Sequence, residues 1–272
     1  MIEIKIGEKD YPSCLEGETL YCLGNRELLS GRLITVTGAK DADNEGVSNA
    51  KKFTRELIEG GLTPVTGFAP GIEKAVAECG KCICILPCGL DEESVYPKAH
   101  LDLRNKVLEN GGLLLSLEAP GTKGADWTFV KRNKLLAEIS EGLVIVQAGE
   151  KSNTLKILKS SKKVYTVPGS INNIRYGGNN ILLRDGAKAV MSPGDILEDF
   201  GINTEEKIEN TMYDLSDIQE KVLESLEGEM HFEEIVYKTG LSLPQVLESI
   251  TMLEIMGLAE ETNPCTYRKI RR

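Results

Sequence analysis

This sequence is poor in the side chains that most often do chemistry. Histidine occurs only twice in 272 residues, at His100 and His231. Neither stands in a glycine-rich nucleophile elbow or at ligand spacing from other donors, which argues against a Ser-His-Asp hydrolase and a histidine-based zinc site. No apolar run approaches the roughly 18 residues needed to cross a bilayer. The opening Met1-Ile-Glu-Ile-Lys-Ile6 alternates like a strand and lacks a signal peptide's apolar core. A cytoplasmic protein without a membrane role is expected. The G-x-G-x-x-G fingerprint is missing, and Gly149-Glu-Lys-Ser152 lacks the leading glycine of a P-loop. Neither ATP hydrolysis nor a nucleophile–base–acid set is therefore expected, and no cofactor.

Positive charge is also short, 32 Lys and Arg against 42 Asp and Glu. It is unevenly spread. Between Thr122 and Lys188 stand twelve basic residues and five acidic ones, so this segment is +7 and the remainder of the chain −17. A basic island on an acidic body is the pattern of a docking place for a polyanion. The seven cysteines are odd in number, which suits reduced thiols. Four of them crowd together at Cys79, Cys82, Cys84 and Cys88, but Lys81 to Cys88 reads as a buried strand with Cys82 and Cys84 on one face, acting as small apolar groups. No metal site is expected.

From Arg32 to Leu197 apolar strands alternate with helices. Strands are expected at Leu33–Thr37, Leu62–Thr66, Cys82–Leu86, Leu113–Leu117, Leu143–Val146 and Lys163–Val167. Helices are expected at Val47–Glu59, Gly71–Glu78, Leu101–Asn110, Arg132–Ile139 and Thr154–Ser161. This order predicts an α/β fold, an extended Rossmann-like, doubly wound parallel sheet, with ligands beyond the carboxyl ends of the strands. Small and polar residues collect at those ends: Gly38-Ala-Lys40, Gly67-Phe68, Gly71, Ser116, and Gly169-Ser170. Glycine lets a bound group approach the backbone, and helix N-termini offer free N–H donors to an anion.

The chain divides on this reading into a short N-terminal extension (1–31), a Rossmann-like domain (32–200), a polar linker (201–214) and a small domain (215–272). In the last, helices at Asp217–Leu226, His231–Lys238 and Ser242–Met256 precede two short strands around Asn263-Pro264, the pattern of a winged helix. Its third helix carries Glu248 and Glu254 and no cation. A phosphate backbone would repel it, so a protein-contact or autoregulatory role is expected of this domain.

Several motifs resemble the DNA-processing protein A (DprA/Smf) family. They are Thr66-Gly-Phe-Ala-Pro-Gly-Ile-Glu73, Gly89-Leu-Asp91 with Tyr96-Pro97, Ser116-Leu-Glu-Ala-Pro-Gly121, Phe129-Val-Lys-Arg-Asn-Lys134, and Val167-Pro-Gly-Ser170 with Gly178-Asn-Asn-Ile-Leu-Leu-Arg-Asp-Gly-Ala187. The resemblance covers about Tyr11 to Phe200 and extends to the C-terminal domain. It implies a homodimeric protein that binds single-stranded DNA, protects it, and loads RecA recombinase onto it in natural transformation. Residue by residue it offers Lys40, Lys131, Arg132, Asn133, Lys134, Ser152 and Asn180 to phosphates, and Phe129 to a base. Against the family pattern, Pro70 replaces an arginine, Lys40 and Lys134 replace two more, Glu73 replaces an aspartate, and His100 an asparagine. Lysine keeps charge but loses bidentate geometry. The alternative from the same sheet is a Rossmann-like nucleotide-binding protein, a nucleotide hydrolase or carrier, although no P-G-G-x-G-T-x-x-E segment is present.

Overall fold

The computed structural model describes residues 2–4, 8, 11–15, 17–155, 163–202, 216–255 and 258–270. The expected helix from Thr154 lies largely outside these residues. So do Lys156, Lys159 and Lys162, most of the linker, and the expected end of the third C-terminal helix at Met256. The chain forms two compact units, 1–204 and 205–272.

The first unit is an α/β layered structure on a nine-stranded sheet. Its strands are β1 (Ile2–Ile4), β2 (Leu20–Gly24), β3 (Arg32–Thr37), β4 (Leu62–Thr66), β5 (Ile83–Ile85), β6 (Leu113–Ser116), β7 (Gly142–Ile145), β8 (Val164–Thr166) and β9 (Lys188–Ala189). In space they run β1-β2-β6-β5-β4-β3-β7-β8-β9. The seven strands from β6 to β9 are parallel, and β2 and β1 add antiparallel at one edge. Residues 1–31, set apart by sequence as an extension, thus supply two strands of the same sheet.

Alternation along β3 divides the layers. Leu33 joins one apolar cluster with Val65, Ile83, Leu115, Leu143 and the helix α4 (Asp126–Glu138) residues Leu135 and Leu136. Ile34 and Val36 join another with Ala50, Phe53 and Leu57 of α1 (Asn44–Glu59) and Ile72 of α2 (Ile72–Ala77). In α1 those buried residues recur at three- and four-residue steps, the spacing that turns one helical stripe to a sheet. A third cluster packs α3 (Leu101–Glu109) against Cys82, Cys84, Leu86 and Leu114. The Cys82 and Cys84 sulfurs lie 3.8 Å apart within it, so the crowded cysteines are core. Two helices not anticipated from sequence, α5 (Gly177–Arg184) and α6 (Pro193–Asp199), complete the unit.

The second unit holds α7 (Asp217–Ser225), β10 (Met230–His231), α8 (Phe232–Thr239), α9 (Leu243–Ile255), β11 (Ala259–Asn263) and β12 (Thr266–Lys269). Its strands pair in the order β10-β12-β11. Ser216 opens α7 through a reciprocal box, its hydroxyl accepting from the Gln219 N–H and the Gln219 side chain accepting from the Ser216 N–H. Val222, Ile235, Val246, Ile250 and Leu253 form a core of its own.

Candidate nucleic-acid interface

In the first unit the chain order reverses at β3, whose neighbours are β4 on one side and β7 on the other. The crevice beyond the carboxyl ends of such a pair is where open α/β sheets take ligands. Here its floor is closed by the protein's own groups. The Ala39 N–H donates to the Gln147 carbonyl (2.7 Å), and the Thr154 hydroxyl donates to the Gly38 carbonyl (3.0 Å). Gly38 fits because any Cβ there would press on Ile72 and the Gln147 carbonyl. At the start of α1 the Asp43 carboxylate accepts from the Gly46 N–H (2.9 Å) and the Gln147 amide (2.9 Å), with Asn173 at 3.4 Å. The Gly46 bond, followed by the side-chain bonds, holds the Asp43 carboxyl below the usual aspartate range. A built-in anion therefore occupies the helix end that would otherwise receive a nucleotide phosphate.

The open space lies one step aside, between the loop after β3, the loop after β4, and α4. A cleft of about 530 Å³ is bordered by Lys40, Ala69, Tyr96, Phe129, Arg132 and Asn133. A smaller hollow of about 150 Å³ continues it among Pro70, Pro87 and Pro97. Phe129 is the centre of this wall. Tyr96 meets its ring edge-on at 5.8 Å, and the Lys40 ammonium and the Arg132 guanidinium sit 5.6 and 5.8 Å from its centroid. Tyr96 is 52% exposed. Half-open aromatic rings next to cations offer a base a stacking surface and its phosphate a counter-charge.

Arg132 is not the surface cation that the sequence suggests. Only 5% of it is exposed, and its Nη1 donates to both oxygens of the buried Glu73 carboxylate (3.0 and 3.3 Å). Glu73 also accepts from the Thr37 hydroxyl (3.0 Å) and the Ala69 N–H (2.8 Å). Gly67 makes room for this pair, since any Cβ would collide with both side chains. The Arg132 Nε–H is left without a partner among the described residues. An orphaned buried donor on a cleft wall is a place for an acceptor from outside. Arg132 also does not begin a helix. The α4 helix starts at Asp126, where the Thr128 hydroxyl satisfies the Ala125 N–H (2.9 Å), so no free N–H donors surround Arg132 to Lys134.

Other expected residues are taken up by the structure. Phe68 is 1% exposed and held by His100, whose ring meets it edge-on at 5.4 Å while Nδ1 lies 3.1 Å from the Phe68 carbonyl. Ser116 is buried and caps its own strand end, accepting from the Glu118 N–H. Gly71, at φ +73°, lets the start of α2 lie against the Ala39 and Lys40 carbonyls. Asn180 spends its amide on Gly169, and Ser170 and Ser152 accept from their own loops' N–H groups. Its neighbour Asn179, which the sequence reading passed over, is fully buried and binds the ends of β7 and β8 together through Ala148, Val146 and Val167. Lys40, Lys131 and Lys134 remain exposed.

Nor does the basic segment make one face. Lys163 and Lys188 lie at the amino ends of β8 and β9, beside Asp199, at the opposite end of the strands from the cleft. Arg175 is bonded to the Asp41 carbonyl and Arg184 to Asp185.

Comparison with known proteins follows the same architecture. A family model described as DNA recombination-mediator protein A matches residues 3–201. The DNA processing protein DprA of Bacillus subtilis is 32% identical over 211 residues, covering 72% of this chain and 70% of that one. Other relatives are covered over about two thirds of their length. The solved DNA processing protein A of Streptococcus pneumoniae superimposes with a TM-score of 0.65 at 28% identity, covering 72% of this chain and 73% of that one. The DNA processing protein A of Helicobacter pylori, solved for its single-stranded DNA binding mode, gives 0.64 at 23% identity over 73% of this chain and 95% of that one, a likeness of fold.

Proposed function

Since the chain belongs to the DNA recombination-mediator protein A family, we propose that it binds single-stranded DNA in the Phe129 cleft and acts as a recombination mediator. A base stacks against Phe129 and Tyr96, and the adjoining phosphate meets Lys40 and the free Arg132 Nε–H. The observation that carries this reading is the pairing of an open aromatic wall with an unpartnered buried arginine donor. Stacking reads no sequence, because every base has a π-face. As the family resemblance implies, the protein works as a cytoplasmic homodimer, protects incoming single strands, and passes them to a RecA recombinase. The second unit is a winged helix that serves a protein contact. Its α9 has no basic residue, and Tyr237 on α8 is almost fully exposed. A mononucleotide carrier is the weaker reading, since Asp43 already holds the N-terminus of α1.

Fluorescence anisotropy of a labelled oligothymidine tests the proposal. Phe129→Ala is expected to weaken binding about tenfold, within the roughly 1–3 kcal/mol that stacking contributes per base. A mononucleotide is expected not to compete. Competition by free nucleotide at equal base concentration would turn the assignment to the carrier.

A further inference from the structure

The outward face of α4 carries a feature that the cleft does not use. Trp127, Val130, Lys131 and Lys134 stand at i, i+3, i+4 and i+7, and so share one helical stripe. All four are exposed; Trp127 is 54% exposed and Val130 more so. The Lys131 ammonium sits 5.1 Å from the Trp127 ring centroid and 4.0 Å from a Glu118 oxygen. No acidic residue interrupts the stripe. Asp126 turns to the cleft, and Glu138 comes one turn after Lys134.

We infer that this stripe is a second contact for the single strand, which leaves the cleft over Val130 and stacks a further base on the Trp127 indole. The inference rests on the proposed DNA-binding reading of the cleft. Three observations carry it. Val130 belongs both to the stripe and to the cleft border, so the two surfaces are continuous. A half-bare indole with an ammonium over its ring is the combination that takes a base and its phosphate together. Two exposed lysines against a single, almost fully buried acid, Glu118, favour an anionic occupant over an apolar protein surface, although an exposed apolar strip by itself would suit either.

Trp127 is the only tryptophan in the chain, so the full-length protein reports on this contact without a label. Binding of an oligothymidine of about twenty residues is expected to quench its emission. Trp127→Ala is expected to weaken binding about tenfold with an unchanged melting temperature, and Trp127→Phe to restore most of the loss. Lys131→Ala is expected to weaken binding severalfold and to flatten the salt dependence. Unmoved emission, with Trp127→Ala binding a labelled oligonucleotide within twofold of the parent, would overturn the inference while leaving the cleft reading intact. If Trp127→Ala instead abolished self-association in light scattering and left DNA affinity unchanged, the stripe would be a protein contact. If the parent bound no DNA, and Phe129→Ala therefore changed nothing, both readings would fall together.

Discussion

Arg132 shows what a side chain's surroundings do to its meaning. By sequence it is a cation between two others, ready for a phosphate. In the structure it neutralises Glu73, with both side chains almost wholly buried behind the cleft wall. Removing one partner of such a pair strands the other and costs about 3–5 kcal/mol. Arg132→Ala is therefore expected to lower the melting temperature by roughly 10 °C, readable by thermal denaturation. Lys134→Ala, at an exposed position, should leave it unchanged. Of these two cations, which the resemblance offers to phosphates, only Lys134 can thus be emptied at no cost to the fold. The ion pair was illegible in the sequence because its members are separated by 59 residues and only the meeting of α2 with α4 joins them. Pro70 behaves in the opposite way. It is exposed at the mouth of the hollow, where the family motif has an arginine. Pro70→Arg is expected to tighten oligonucleotide binding at low salt and to steepen its salt dependence by about 0.7 in log–log slope, one phosphate's share. Titrations at several salt concentrations decide it.

Among elements, those with a buried stripe were the readable ones. The strands β3 to β8 announce themselves as apolar runs, and α1 as a regular stripe. Sequence places the α4 start at Arg132 because the first two turns of the helix hold Trp127 and Val130, apolar residues that face outward and break the pattern. The α5 helix is not legible in the sequence because it opens on Gly177-Gly178, poor helix formers. Gly178 is needed there since a Cβ would strike the Ala148 and Gly149 carbonyls. The α1 cap yields a test of its own. Asp43 has a depressed pKa in the folded state, so its contribution is fully present above the unfolded aspartate value of about 3.9 and is lost as pH falls through the folded one. Asp43→Ala is expected to cost about 1 kcal/mol at neutral pH. The penalty should shrink as pH falls below the unfolded aspartate value, so melting curves of parent and variant draw together in acid. Curves that stay parallel would mean that the carboxylate's charge contributes nothing.

For the whole molecule, charge counted along the chain proved a poor guide to charge in space. The +7 segment is divided between two ends of the sheet and partly consumed by Glu73, Asp185 and Asp199. Among the described residues, the exposed lysines on the cleft border and the outward face of α4 are Lys40, Lys131 and Lys134. The log–log salt slope of oligonucleotide affinity is thus expected near 2, at about 0.7 per phosphate, well short of the steep dependence that the whole island would give. The two compact units allow a second test. A fragment ending at residue 204 should keep oligonucleotide affinity within a few-fold of the full chain, because the second unit offers no cation on α9. A loss beyond about tenfold, or 1.4 kcal/mol, would move the DNA site into that unit.

The nine-stranded sheet is bounded by two of its shortest members, β1 with three residues and β9 with two. A long free margin is a template on which another chain can lay its own backbone, and short, charged borders are a common defence against it. Here one margin offers only Lys188 and Ala189, with the lysine held by Asp199. At this margin a second copy would find almost no ladder to extend.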